Sequence, residues 1–261
     1  MSQATFFHLD PEGWIVGNDS ARGPWSPDGC HAGPVTGMLA RAAEQAVPDR
    51  QLVRLSVDLV RPAPVSGFQI EVDIERESRS LATTRLTLRN REGKTCATAT
   101  TMHLSTLDLG DVPTTRVPAP CFDDAEPGLF PVMSGGHDLP TFARSVELAF
   151  PGGSATIPGP NTVWMRTHEL LPGETMTPYQ RLCPLADCGN AMSRNTPGRE
   201  INFVNTDLTI YVHRLPVSEW IGAEFSSSWE SSGIGLARAT LFDTEGVIGV
   251  AHQTLLLRPQ A

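Results

Sequence analysis

The sequence has no dense run of lysine and arginine. Its 20 basic residues are scattered among 29 acidic ones, and the formal net charge is -9. A nucleic-acid-binding face needs clustered cations that meet phosphates in series, so that class is excluded. Cysteines are few and irregularly placed, at Cys30, Cys96, Cys121, Cys183 and Cys188. An odd count at these spacings gives no disulfide framework, and no Cys/His set has zinc-ligand spacing. A reducing, cytoplasmic compartment is expected, with no metal and no cofactor. Residues 1–10 lack a basic stretch followed by an apolar one, so no signal peptide is expected. No apolar run approaches bilayer length. Gly-rich phosphate loops and a Gly-x-Ser-x-Gly nucleophile elbow are also missing.

What the chain does hold is a second copy of itself. Arg85, Thr87, Leu88, Asn90, Glu92 and Gly93 recur as Arg238, Thr240, Leu241, Asp243, Glu245 and Gly246, shifted by 153 positions. At the same shift Leu55, Val57, Leu59 and Arg61 answer to Leu208, Ile210, Val212 and Arg214. One residue out of frame, Pro64-Val65-Ser66 with Phe68 answers to Pro216-Val217-Ser218 with Trp220. An ordered match over roughly fifty residues points to a duplicated fold. Each half then serves as a control for the other. Agreement between halves is read as fold, and a polar residue in one half only becomes a candidate for function. A length of 261 residues suits two units, and a 40% hydrophobic content lets each bury a core.

The connector is expected at residues 107–139, where Pro113, Pro118, Pro120, Pro127, Pro131 and Gly135-Gly136 interrupt regular structure. It separates an N-terminal unit (1–106) from a C-terminal unit (140–261). In the first unit, Val35, Met38, Leu39, Ala42, Ala43 and Ala46 form one stripe of a helix from Gly33 to Val47, with Pro34 near its start and Pro48 at its end. Alternating strands follow at Leu55–Leu59, Phe68–Ile74, Leu81–Leu88 and Thr95–Leu104. The second unit repeats the strands at Thr206–Val212, Trp220–Trp229, Gly235–Phe242 and Val247–Leu257. Its helix opens on Thr177-Pro178 and is interrupted by Pro184. A helix on one face of a curled antiparallel sheet buries both apolar surfaces. Two such sheets can join edge to edge, which also covers strand edges.

Four segments resemble the acyl-CoA thioesterase II family and its thioesterase-like relatives. Gly23-Pro24-Trp25 with Cys30-His31-Ala32-Gly33-Pro34 resembles the approach to the family's first helix, which usually reads His-Gly-Gly. Val163-Trp164-Met165-Arg166 resembles the opening strand of its second repeat. Leu185-Ala186-Asp187-Cys188-Gly189-Asn190 and Gly249-Val250-Ala251-His252-Gln253 resemble the segments bearing its catalytic aspartate and glutamine. The resemblance implies an α+β double hotdog: two tandem repeats, each a long helix wrapped by an antiparallel sheet. It also implies hydrolysis of acyl-CoA by a water activated at Asp187 and Gln253, with Asn205 or Thr206 in the position of the family's hydroxyl. Self-association into a dimer or larger homo-oligomer is implied too.

The residues carry a plainer reading as well. Asp187 follows Pro184 on the stripe Leu182, Leu185, Ala186 and Gly189, and caps a restarted helix or works in catalysis. A carboxylate there is costly to bury unless bonded, and its counterpart at the 153 shift, Pro34, has no polar side chain. Gln253 is a strand amide or a catalytic one; its counterpart is Thr100. Asn205 and Thr206 open a strand or complete the site; their counterparts are Leu52 and Val53. His31 and Gly33 line the substrate site or cap and pack the first helix. Cys188, with no base beside it in sequence, reads as a small core residue. One working site per chain is therefore expected. Two other functions fit this frame: an acyl-CoA binder without turnover, and an enoyl-thioester hydratase or dehydratase. The last needs an Asp/His pair, for which His213 and His252 are the nearby histidines.

Overall fold

The computed structural model describes residues 5–131, 137–198 and 200–260. The Gly135-Gly136 pair of the expected connector and the first four residues lie outside the described residues. Strands β1 (Phe7–Leu9) and β2 (Ile15–Gly17) precede helix α1 (Ala32–Ala46). Strands β3 (Gln51–Leu59), β4 (Phe68–Glu77), β5 (Leu81–Asn90) and β6 (Thr95–Leu104) complete the first half. The second half holds β7 (Ala125–Gly128), β8 (Glu147–Pro151), β9 (Asn161–Arg166), α2 (Pro178–Ala186) and α3 (Gly189–Ser193). After these come β10 (Ile201–Asn205), β11 (Asp207–Val212), β12 (Ile221–Trp229), β13 (Ile234–Asp243) and β14 (Gly246–Pro259).

All fourteen strands belong to one sheet, ordered β1-β2-β4-β5-β6-β3-β11-β14-β13-β12-β9-β8-β7, with β10 added on β14. The order is palindromic about the β3–β11 junction. There the register pairs Ser56 with Thr209, its own counterpart at the 153 shift, and flanks it with Leu55–Ile210 and Val57–Leu208. The last two pairs exchange under the shift, so the halves meet across a pseudo-two-fold axis, as two identical subunits would. This is the tandem hotdog arrangement. One cluster of buried side chains runs through both halves.

Helix α1 buries Val35, Met38, Leu39, Ala40 and Ala43 at 2% exposure or less. Each of the three large side chains contributes roughly 1.5–3 kcal/mol by leaving water. Pro34 sits in the first turn, where a missing N–H costs nothing, and His31 is the N-cap. α1 packs on α2 and on β3, β4 and β5. The second helix departs from the expected long one. It starts as predicted, with a capping box between Thr177 and Gln180 and Pro178 at its first position. Pro184 then removes a backbone donor, and the helix stops at Ala186 before α3 resumes at Gly189. The helix starts Ala32 and Pro178 are not 153 apart, so the shift holds for the strands and not for the helices. Counted from the helix starts, Asp187 lies opposite Arg41 on an unbroken α1, not opposite Pro34.

Two further departures are local. The stretch from Leu107 to Asp124 carries no strand and is mostly exposed, but β7 falls inside the expected connector and pairs with β8. Pro127 is tolerated in β7 because that strand closes one end of the sheet. Strand β10 was not expected at all. It pairs with the Leu255–Pro259 end of β14, while β11 pairs with the Gly249–His252 stretch of the same strand. Thr206 lies at the break between them, with its N–H donating to Thr254 O at 3.0 Å.

Candidate active site

Asp187 is the C-cap residue of α2, in the two-residue break that follows Pro184. Its side chain is not spent on capping: α3 has no side-chain cap, and Asp187 turns instead toward the sheet. Only 4% of that side chain is exposed. Oδ1 accepts from Asn205 Nδ2 at 2.6 Å and from Gln253 Nε2 at 3.0 Å. Gln253 Nε2 also reaches the Asp187 backbone carbonyl at 3.1 Å. Oδ2 lies 3.0 Å from His31 Nδ1. Four chain segments thus meet at one carboxylate: the N-cap of α1, the α2–α3 break, the end of β10 and the middle of β14.

Local sequence explains each arrival. β10 ends at Asn205, so its last side chain projects beside β14 where Gln253 stands. A Cβ on Gly189 would collide with Gln253 Oε1, so glycine at the start of α3 opens the path from β14 to Asp187. A Cβ on Gly33 would stand 2.9 Å from both Cα and O of Pro184. Gly33 therefore lets α1 close on α2 and brings His31 against Asp187. Of the two roles open to it from sequence, packing the first helix is the one seen; Gly33 is not among the residues that line the cavity beside Asp187. His31 is both cap and site residue. Its Nδ1 lies 3.1 Å from Gly33 N–H, and its ring stacks on Phe142 at 4.1 Å. One nitrogen cannot accept from Gly33 and donate to Asp187 together, so the two contacts are alternatives set by the tautomer.

The cluster forms part of the wall of a cavity of about 270 Å³. Val35, Ala63, Ala97 and Phe130 make much of the remainder apolar, and Trp25 and Phe203 meet edge to face along it. His31, Asp187, Asn205 and Gln253 all line it. Thr206 does not; its hydroxyl donates to Thr254 O at 3.3 Å in an exposed position. His213 and His252 do not line it either, and the histidine that meets the aspartate is His31. Asn190, which sequence reasoning passed over, does line it. Asn190 is 2% exposed, its Oδ1 accepts from Trp229 Nε1 at 2.9 Å, and its Nδ2 has no partner. Gln253 Oε1 is likewise buried and unpartnered. Such atoms are rare in a finished core and mark a place where a ligand or water belongs. Cys188 is no nucleophile. Burial, with Asp187 nearby, pushes its thiol well above the ordinary range, and its Sγ is 3.2 Å from Pro184 O.

Comparison with known families decides the identity. Residues 21–104 match the acyl-CoA thioesterase N-terminal domain, and residues 117–257 match the acyl-CoA thioesterase C-terminal domain. The chain belongs to the acyl-CoA thioesterase family. It is a thioester hydrolase. Solved structures agree on the fold. An acyl-CoA thioesterase II from Mycobacterium marinum superposes with a TM-score of 0.67 at 19% identity, covering 88% of this chain and 90% of that one. A protein of Novosphingobium aromaticivorans gives 0.74 at 20% identity over 93% of both chains. A hotdog protein of unknown function from Alicyclobacillus acidocaldarius gives 0.70 at 18% identity over 97% of this chain and 96% of that one. No curated protein matches the chain. Among the described residues, no helix of this thioesterase is long and apolar enough to cross a membrane.

Proposed function

We propose that this thioesterase hydrolyses acyl-CoA to free acid and CoA with a water activated by Asp187. The carrying observation is the hydrogen-bond count at that carboxylate. An ionised carboxylate offers about four acceptor positions. Asn205 and Gln253 fill those on Oδ1, and His31 stands at one on Oδ2. The remaining position on Oδ2 takes a water. Asp187 removes that water's proton as its oxygen attacks the thioester carbonyl carbon. The carbonyl oxygen becomes an oxyanion. The unpartnered amide of Asn190 and the N-terminal end of α1 are the preorganised dipoles that face developing negative charge. Collapse of the tetrahedral species breaks the C–S bond. The thiolate leaves readily and takes up a proton, so no covalent intermediate is needed. The acyl chain occupies the apolar part of the cavity.

On this reading Asn205, and not Thr206, fills the third position beside Asp187 and Gln253. Both amides donate to the carboxylate and fix its orientation. Release of free CoA from short-, medium- and long-chain acyl-CoA is the direct test. No release at any length sinks the proposal in favour of a binder without turnover.

The His31–Asp187 contact at 3.0 Å favours a second reading of the same reaction, in which Asp187 orients His31 and the imidazole takes the proton. His31→Gln separates the two. With Asp187 as base the variant keeps most of its turnover; with His31 as base it loses as much as Asp187→Asn.

A further inference from the structure

The duplication exposes one cation that the fold has released. In the second half, Arg214 forms a two-pronged ion pair with Asp243, Nη1 to Oδ2 at 2.6 Å and Nη2 to Oδ1 at 2.7 Å. Nη2 also donates to Gly246 O at 3.1 Å, and Asp243 is fully buried. At the 153 shift these residues are Arg61, Asn90 and Gly93. Asn90 keeps the turn duty of Asp243. Its Oδ1 accepts from Glu92 N–H at 3.1 Å, just as Asp243 Oδ1 accepts from Glu245 N–H at 2.9 Å. It has lost the charge that holds an arginine. The Gly93 carbonyl is taken by Arg89 at 3.4 Å. Among the described residues, no hydrogen bond or ion pair engages the Arg61 guanidinium.

Arg61 is exposed and lines the cavity that holds Asp187, where it is the one Arg or Lys among the described residues. The equivalent arginine in the other half, Arg214, is not among the residues that line this cavity. The chain as a whole carries a net charge of -9, which repels an anionic ligand. A free guanidinium at that cavity, on so acidic a protein, offers a planar fork of donors suited to phosphate oxygens.

We propose that Arg61 binds a phosphate on the thiol arm of the substrate, which makes it a specificity-determining residue for phosphate-bearing thioesters. The inference rests on the thioesterase reading for where the thiol arm lies, though binding tests it without turnover. Two thiols carry that chemistry, CoA and a carrier-bound phosphopantetheine arm. The probes are CoA, 4'-phosphopantetheine and pantetheine, titrated calorimetrically into the wild-type protein and Arg61→Gln. Wild type should prefer CoA over pantetheine, and Arg61→Gln should weaken CoA by about tenfold, one charge-assisted hydrogen bond, with pantetheine unmoved. If 4'-phosphopantetheine shares the loss, the phosphate next to pantetheine is the one bound; if only CoA does, it is a phosphate of the nucleotide. Equal affinities for CoA and pantetheine in wild type, or a preference that survives Arg61→Gln, overturns the inference. Acyl-CoA turnover of the wild type is read separately and bears on the thioesterase mechanism alone.

Discussion

Strand β11 arrives at the central junction with β10 ahead of it, laid along the overhanging end of β14. Its counterpart β3 begins three residues after Pro48, which closes α1, and has no such forerunner. The helices differ in the same direction. α1 runs unbroken for 15 residues, whereas α2 stops after nine, just past Pro184. The strand frame is the same in both halves. What the second half adds is a broken helix, which places Asp187, and an extra strand, which places Asn205. The first half contributes a capping histidine and a shaped wall. Duplication thus supplied two copies of a scaffold, and the groups proposed to react gather where one copy is interrupted.

The strongest way to break that comparison is to exchange the catalytic weight of the halves. Asp187→Asn should lower turnover by about 10²-fold or more, the usual scale for losing a positioned acid–base group. Thr100→Val, at the first-half position of Gln253, should change turnover by less than about twofold, within the scatter of neutral surface and strand substitutions. Loss of activity in Thr100→Val with retention in Asp187→Asn would reverse the assignment of the halves.

The first half has a buried polar group of its own, and it predicts acid sensitivity. Thr84 and Thr101 share a hydrogen bond of 2.6 Å, and His103 Nε2 meets Thr101 Oγ1 at 2.9 Å. The second half has Ala237, Thr254 and Leu256 at these positions. Burial, with the Arg50 guanidinium nearby, pushes His103 down to about 4 from an ordinary 6.5. Between those values the unfolded chain holds a proton that the folded one refuses, so stability falls as pH drops from 6.5 toward 4. The full loss is about 3 kcal/mol for one such group. Urea unfolding at pH 7 and pH 4.5 should show the loss in wild type and a smaller one in His103→Leu. Equal losses would place the acid sensitivity elsewhere, though not at Asp243, whose contribution is lost only as pH falls below an aspartate's ordinary 3.8. There burial opposes ionisation, but Arg214 and the N–H groups of Val217 and Glu245 hold the carboxyl below its usual range.

Asn205 gives the next smaller effect. Asn205→Leu, which installs the residue found at Leu52 in the other half, removes one donor from Asp187 and should cost about tenfold in turnover. Asn205→Thr keeps a hydroxyl donor and should lose less. An Asn205→Leu variant with full activity would leave Gln253 as the only amide that matters.

Much of this was legible in the sequence because period-two strands and a fixed shift are local signals. The eight strands of the repeat, the helix over residues 32–46 and the edge-to-edge junction all follow from them. β10 was not legible. Ile201 to Asn205 is short and half-exposed on alternate sides, and it is a strand only because β14 extends far enough to pair with it. Asp187, Gln253 and His31 were named from motifs, but their convergence depends on Gly33 and Gly189, whose role is to leave space. Arg61 was hidden by the reasoning itself. It matches Arg214 across the repeat, and a match was read as fold. The difference lies one shell out, in the change from Asp243 to Asn90.

That change gives the smallest and sharpest test of the halves. Asn90→Asp restores to the first half the carboxylate that locks Arg214 in the second, and keeps the oxygen that accepts from Glu92 and Lys94 N–H. Asn90 itself does not line the cavity, so any change in binding must travel through Arg61. A partly exposed ion pair is worth up to about 1 kcal/mol, so recapture of Arg61 should weaken CoA by about threefold. Pantetheine, which has no phosphate to lose, should bind as before. The reciprocal variant Asp243→Asn should not touch CoA affinity, because Arg214 is not among the residues lining the cavity, but it should destabilise the fold by stripping a buried carboxylate's pair of one partner. If Asn90→Asp binds CoA like wild type while Arg61→Gln does not, Arg61 still meets the phosphate but the Asp243-to-Asn90 difference is not what set it free.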